Sequence, residues 1–214
     1  HFHPMSELSE EFSSEIAFCW RGTDGLHVYL NTGLEARVAE VKTAHELAHE
    51  VLVREGYPGT LPLDPGDAQM QILASRLSSS VLNALVNHRI GEFGFDLDAY
   101  DEMGIRALVR NTPKNPDLES MTKWENLVYN GLVYLDNYLD KKINPRAMPE
   151  LKAQAAFLKT IPGQWDLVER MVAVVEAVGI ESPEQCLEVM IQLRGVLGLK
   201  GKVLVVDVRS GVYR

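Results

Sequence analysis

Residues 32–56 read TGLEARVAEVKTAHELAHEVLVREG and define one long helix with its own start and stop. Thr32 and Glu35 match a capping box, in which the hydroxyl and the carboxylate each accept a hydrogen bond from a backbone N–H group at the helix start. Apolar residues then recur at helical spacing: Leu34, Val38, Val41, Ala44, Ala48, Val51 and Leu52. Gly56 supplies a C-terminal cap. The stretch therefore predicts a helix from Gly33 to about Glu55.

The flanking segments predict a hairpin before this helix and a second helix after it. Two apolar, aromatic-rich runs, 16–20 and 26–30, are separated by Arg21-Gly22-Thr23-Asp24-Gly25, which favours a β-hairpin. Residues 56–65 are rich in Pro and Gly and predict a loop. Asp64-Pro65 then predicts the cap and first turn of a long helix that ends near Gly91 and Gly94.

The remainder of the chain is predicted to be mainly helical. Helices are expected near 121–139, 150–158, 165–178 and 183–197, and the β-branched run 202–208 predicts a terminal strand. The fold class is therefore α+β, mostly helical. Residues 1–117 are expected to form a small core of hairpin and helices, and residues 118–214 a helical region that packs on it and ends in a strand.

Composition excludes several classes of protein. The chain has 214 residues, of which 46% are hydrophobic and 24% charged, as in ordinary globular proteins. A net charge of -9 argues against nucleic acid as a partner, and the apolar runs are too short for a membrane partner. Cys19 and Cys186 fit neither a disulfide framework nor a cysteine zinc site, so we expect a reducing, cytoplasmic compartment. A chain that begins His1-Phe2-His3, without Met, is compatible with a start inside a longer sequence.

The residues that could bind a metal ion or take part in catalysis are His45, Glu46 and His49, in the middle of the first helix. Two histidines four apart lie about 40° apart around the axis and roughly 6 Å along it, so both rings can reach one ion. Imidazole is a favoured ligand of zinc, which activates water for hydrolysis. Glu46 stands where a base could take the proton. The alternative is that His45 is a satisfied core histidine and that Glu46 and His49 are solvated.

The predicted order of elements resembles the core of the zincin superfamily of HExxH metallopeptidases, over roughly residues 14–95. This order is a hairpin, a capped helix that contains HELAH and a second helix. The resemblance implies zinc binding by His45 and His49 and a general-base role for Glu46. The metzincin extension is absent, since Leu52 stands where a glycine is expected. A gluzincin-like layout, with the third ligand on a following helix, is closer. In the zincin layout an edge strand often pairs with extended substrate, which makes residues near Leu26 to Leu30 candidates for backbone recognition.

The third zinc ligand is predicted on the second helix. His88 lies in phase with Leu77, Val81 and Ala84, so we expect it on the buried face. Glu92, four residues further on, is the alternative ligand, or else a hydrogen-bond partner that orients His88. Asn87 is disfavoured because amides are poor zinc ligands.

Other polar residues are left outside the predicted site. His1 and His3 lie at a terminus that we expect to be mobile, and His27 is expected to be a surface or packing residue. Tyr57, Tyr100 and Tyr134 could each donate a hydrogen bond to an oxyanion, and the sequence does not rank them. The acidic cluster Asp96-Leu97-Asp98 with Asp101-Glu102 lacks the spacing of a calcium loop.

The predicted function is a zinc-dependent metallopeptidase with a peptide or protein substrate and Zn2+ as cofactor. Two alternatives stay open. One is a catalytically inactive, zinc-stabilised interaction module, and the other is a zinc hydrolase that acts on a non-peptide amide. Neither the oligomeric state nor the cleavage specificity follows from the sequence.

Overall fold

The computed structural model describes residues 2–4, 17–21, 23–30, 33, 35–98, 120–144 and 149–214. This part of the chain is mostly helical with two small sheets, so the predicted α+β class is confirmed. The strands are β1 (Phe2–Pro4), β2 (Ala17–Arg21), β3 (Leu26–Leu30), β4 (Gly59–Pro62), β5 (Val203–Asp207) and β6 (Val212–Tyr213). The helices are α1 (Ala36–Arg54), α2 (Ala68–Glu92), α3 (Lys123–Ile143), α4 (Pro149–Leu158), α5 (Gln164–Val178) and α6 (Pro183–Val196).

The chain divides into two compact units. The first comprises the described parts of His1–Val51 and Val86–Pro113, and the second those of Leu52–Leu85 and Lys114–Arg214. The division falls within α1 and within α2. The boundary predicted between residues 117 and 118 lies outside the described residues and stays a prediction.

The first unit contains a three-stranded sheet of order β1-β3-β2. β2 and β3 pair antiparallel, with Cys19 opposite Val28, so the predicted hairpin is confirmed. β1 pairs parallel with the other side of β3, and His3 lies opposite Tyr29. Two predictions are therefore wrong: β3 is not an edge strand along 28–30, and His3 belongs to a strand rather than to a mobile terminus. The sequence of β1 is too short to identify it as a strand.

α1 lies within the predicted range but begins at Ala36 rather than Gly33, and Val51, predicted on the apolar face, is exposed. Its buried positions are Val38, Val41, His45, Ala48 and Leu52, which is one face of a helix. The helix ends in a Schellman motif: the N–H of Gly56 donates to the carbonyl of Val53, and that of Tyr57 to the carbonyl of Leu52, both at 3.0 Å. Gly56 has a φ of 91°, which a residue without a side chain adopts at little cost. Thr32 lies outside the described residues.

The start of α2 and the preceding loop differ from the prediction. The Asp64 carboxylate accepts from the N–H of Gly66 at 2.9 Å and forms a turn, whereas Asp67 accepts from the N–H of Met70 at 3.0 Å and caps the helix. Both aspartates suit a cap, and the sequence pattern identified the wrong one. The predicted loop 56–65 also contains β4, which pairs antiparallel with β5, with Thr60 opposite Val205.

The buried face of α2 changes direction near its C-terminal end. Leu77, Val81 and Ala84 are buried on one side of the helix. The buried residues that follow lie roughly 140° away around the axis, at about 100° per residue: Val86, Asn87 and Ile90. The side chain of His88 is 52% exposed. The expectation that His88 continues the buried face is therefore wrong, because the face has turned before that position is reached.

The second unit has a helical core with its own sheet. Helices α3 to α6 lie where the sequence predicts them, and β5 is the predicted terminal strand. Leu132, Leu135, Met171, Met190 and Leu193 are fully buried. Capping boxes start two of the helices, Thr122 with Glu125 at α3 and Ser182 with Gln185 at α6. Among the helices of the described ranges, none combines the length and the apolar character needed to cross a membrane.

Candidate metal centre

His45 and His49 lie side by side on α1 in the first unit. Their Nε2 atoms are 3.2 Å apart, and their ring planes meet at 75° with centroids 4.8 Å apart. His45 is buried at 4% exposure, and His49 is half-buried one turn further on. The spacing of four residues therefore brings the two predicted ligand atoms together, as helix geometry requires.

The distance between the two Nε2 atoms fits a shared ion. Zinc to imidazole bonds of about 2.0–2.1 Å at a tetrahedral angle put two ligand nitrogens about 3.3 Å apart. The observed separation is 3.2 Å. Two neutral imidazoles are suitable donors for Zn2+, so this pair fits two of the positions that a zinc site needs.

Asn87 of α2 holds the other nitrogen of His45. The Asn87 Oδ1 atom lies 3.0 Å from His45 Nδ1, and Asn87 is only 3% exposed. Sequence reasoning considered Asn87 only as a ligand and preferred to treat it as a polar residue near a helix end. The structure places it inside, in contact with the ring of a predicted ligand. No local sequence pattern indicates this contact, because it depends on which part of α2 packs against α1.

Glu46 is half-buried on α1, directly after His45. The side chain lies about 100° around the helix from His45. Glu46 and His49 are both half-buried, so each is partly in contact with solvent, and the alternative of a core His45 beside solvated Glu46 and His49 stays open. The burial of His45, in contrast, is common to both interpretations.

His88 and Glu92 lie next to each other at the end of α2. The His88 Nε2 atom is 3.8 Å from Glu92 Oε1, and the side chains are 52% and 67% exposed. Within the described residues, no three or more His, Cys, Asp or Glu side chains form a group that could hold a metal ion. The choice between His88 and Glu92 as third ligand stays a prediction.

A second histidine pair lies on the sheet of the first unit. His27 Nε2 is 2.9 Å from Asp24 Oδ1, and His27 Nδ1 is 3.0 Å from His3 Nε2. The rings of His3 and His27 are within 19° of parallel, with centroids 5.1 Å apart. The hydrogen bond from His27 lowers the pKa of Asp24. His27 is 9% exposed, so it is a packing residue rather than a surface one.

The remaining candidates have other partners or lie elsewhere. The Tyr57 hydroxyl donates to the carbonyl of Glu181, and burial raises the pKa of Tyr134, both in the second unit. Asp96 pairs with Arg37 at 3.2 Å, whereas Tyr100, Asp101 and Glu102 lie outside the described residues. Burial, with the charge of Glu181, raises the pKa of Cys186 to about 12, which leaves it a neutral thiol.

No family model matches the chain, no curated protein matches it and no solved structure matches it at a significant level. The candidate centre therefore depends on its own geometry and on the chemistry of its residues.

Proposed function

We propose that the protein is a zinc-dependent hydrolase of peptide bonds, built on a zincin-like core in which His45 and His49 are two of the metal ligands. The observation that carries this proposal is the 3.2 Å separation of the two Nε2 atoms. The separation matches the bite that a tetrahedral ion needs, and it arises on a helix whose start and stop are independent of the motif.

Each residue of the centre has a distinct task in this proposal. Zinc, when bound, supplies Lewis-acid chemistry, since it lowers the pKa of a coordinated water to about 7 and polarises a carbonyl. His45 and His49 hold the ion as neutral imidazoles. Glu46 follows His45 directly, and its half-buried carboxylate accepts a proton from the attacking water and returns it to the leaving amine.

The third ligand is proposed to be His88, with Glu92 as the alternative. Both side chains belong to the same unit as His45 and His49. Imidazole is the better zinc ligand of the two types, and a carboxylate beside a histidine is a common way of orienting a metal-bound ring. The two side chains are neighbours, with His88 Nε2 at 3.8 Å from Glu92 Oε1.

The test compares Glu46→Gln with Glu50→Gln. Both changes neutralise a half-buried carboxylate that directly follows a histidine on α1, so Glu50→Gln is a matched control. Glu46→Gln is expected to keep its zinc and to lower turnover of a fluorogenic peptide library by about 10²–10⁴-fold, the usual contribution of a positioned base. Glu50→Gln is expected to keep both zinc and turnover.

Two outcomes would contradict the proposal. Full turnover in Glu46→Gln would remove the base from the mechanism. A wild-type protein that holds zinc and cleaves no peptide would instead favour the zinc-stabilised interaction module or a hydrolase of non-peptide amides, and a screen of acylated amines separates those two.

A further inference from the structure

The contact between Asn87 and His45 is the most enclosed polar contact of the centre. Asn87 is 3% exposed and His45 is 4% exposed, and the two atoms in contact are 3.0 Å apart. A buried polar group without a partner destabilises the fold, so a hydrogen bond in such a place is strongly retained. The bond joins α1 to the C-terminal part of α2 within the first unit.

The orientation of the Asn87 amide, whose Oδ1 atom faces the ring, indicates where the proton of His45 lies. An amide oxygen only accepts hydrogen bonds, so the Nδ1 atom that faces Asn87 Oδ1 must carry the hydrogen. A neutral imidazole has one N–H group. The Nε2 atom of His45 is therefore left with a lone pair, and that atom is the one 3.2 Å from His49 Nε2.

We propose that Asn87 is a positioning residue that holds His45 in the Nδ1–H tautomer and so keeps its Nε2 lone pair ready for a metal ion. The metal part of this inference rests on the proposed function, whereas the tautomer part rests on the hydrogen bond alone. Metal-bound histidines usually donate their other ring N–H to an oxygen acceptor, which fixes the ring and increases its basicity as a ligand.

An amide suits this position better than a carboxylate would in the metal-free protein. Asn87 accepts the bond without placing a charge at a position that is only 3% exposed. A carboxylate would form a stronger, charge-assisted bond with the same ring nitrogen. The two residue types should therefore fix the same tautomer, and an apolar residue of similar size should not.

The first measurement is ¹⁵N NMR of the histidine rings in the metal-free protein. The wild type and Asn87→Asp are expected to have His45 in the Nδ1–H form, whereas Asn87→Leu is expected to lose that preference. Asn83→Leu is the matched control, because Asn83 is also buried on α2 but donates to Asp136 instead. The control should leave the His45 tautomer unchanged. A wild-type His45 with its proton on Nε2 would overturn the inference.

The second measurement is zinc affinity by competition with a chelator. Asn87→Leu is expected to weaken zinc binding by about 10–100-fold, as losses of such oriented partners do. Asn87→Asp should stay within about tenfold of the wild type, and Asn83→Leu should not change the affinity. Wild-type affinity and wild-type tautomer in Asn87→Leu would contradict the proposed role.

The two measurements separate this inference from the proposed function. A wild-type protein that binds no zinc would refute the metal centre, yet the tautomer would still decide whether Asn87 orients His45. Should Asn87→Leu fail to fold, the wild-type NMR spectrum and the Asn87→Asp variant still decide it.

Discussion

The first unit contains two histidine pairs with similar contacts and different geometry. The nitrogens of His45 and His49 are farther apart than those of His3 and His27, at 3.2 Å against 3.0 Å. Their ring centroids are nevertheless closer, at 4.8 Å against 5.1 Å. We define the axis of each ring as the line from its centroid to the nitrogen in contact. In His45 and His49 these axes must bend away from the line between the two nitrogens. In His3 and His27 they run more nearly along that line.

Both pairs are within hydrogen-bond distance, so they differ in the orientation of their rings rather than in contact. A nearly straight N–H···N contact between almost coplanar rings, as in His3 and His27, satisfies both nitrogens by itself. A shared ion between two nitrogens needs ring axes that bend away from the line between them, and the proposed centre requires the axes of His45 and His49 to bend to the same side.

Replacing one histidine of each pair should give the largest difference in zinc affinity between the two pairs. His49→Ala removes a proposed ligand and is expected to weaken zinc binding by more than about 100-fold, beyond the 10–100-fold typical of residues that only orient a ligand. His3→Ala breaks a hydrogen bond on the sheet and should leave zinc affinity unchanged. Isothermal titration with Zn2+ measures both. Equal losses in the two variants would remove the distinction between the pairs.

Changes at the end of α2 should identify the third ligand that binds the ion together with His45 and His49. His88→Ala is expected to lower zinc affinity at least about tenfold, whereas Glu92→Gln should lower it less, because an orienting partner contributes less than a ligand. The measurement is zinc content after dialysis against a series of chelators. The reverse order would make Glu92 the third ligand, and no loss in either variant would place that ligand elsewhere in the chain.

The smallest effect is expected at Asp24, whose bond to His27 belongs to the second pair. The folded protein lowers the pKa of Asp24 below its usual value of 3.8, so the bond stabilises the fold above that pH. This contribution is lost as the pH falls through the lowered pKa. Urea midpoints of Asp24→Asn should therefore be below those of the wild type at pH 7 and converge with them in strong acid. Asp24 is largely exposed, so the shift should be small.

Asp98→Asn is the control for this comparison, because Asp98 is an exposed aspartate of the same unit. It should leave the urea midpoint unchanged at both pH values. A midpoint for Asp24→Asn equal to that of the wild type at pH 7 would mean that the bond to His27 adds no stability.

Local signals predicted α1 and the first histidine pair well. The C-terminal cap at Gly56, the apolar face and the spacing of His45 and His49 are all encoded within one helix, so no distant residue is needed to infer them. The contact between the two rings follows from the same helix geometry.

Features that depend on distant partners were not predicted. The sequence predicts a loop where β4 lies, because the pairing partner of this strand, β5, lies near the other end of the chain. His88 was expected on a buried face that instead turns toward Asn87, since the burial of a helix depends on what packs against each part of it. The sequence pattern contains no information about which tertiary neighbour each turn of α2 meets.

The most direct test of the centre is a crystal structure of the protein with zinc, with anomalous data collected at the zinc absorption edge. If His45 and His49 share a zinc ion, one strong anomalous peak is expected about 2.0–2.1 Å from both Nε2 atoms. No peak is expected between His3 and His27. Zinc-saturated crystals without a peak at His45 and His49, or with the two rings turned away from each other, would refute a shared ion at this pair.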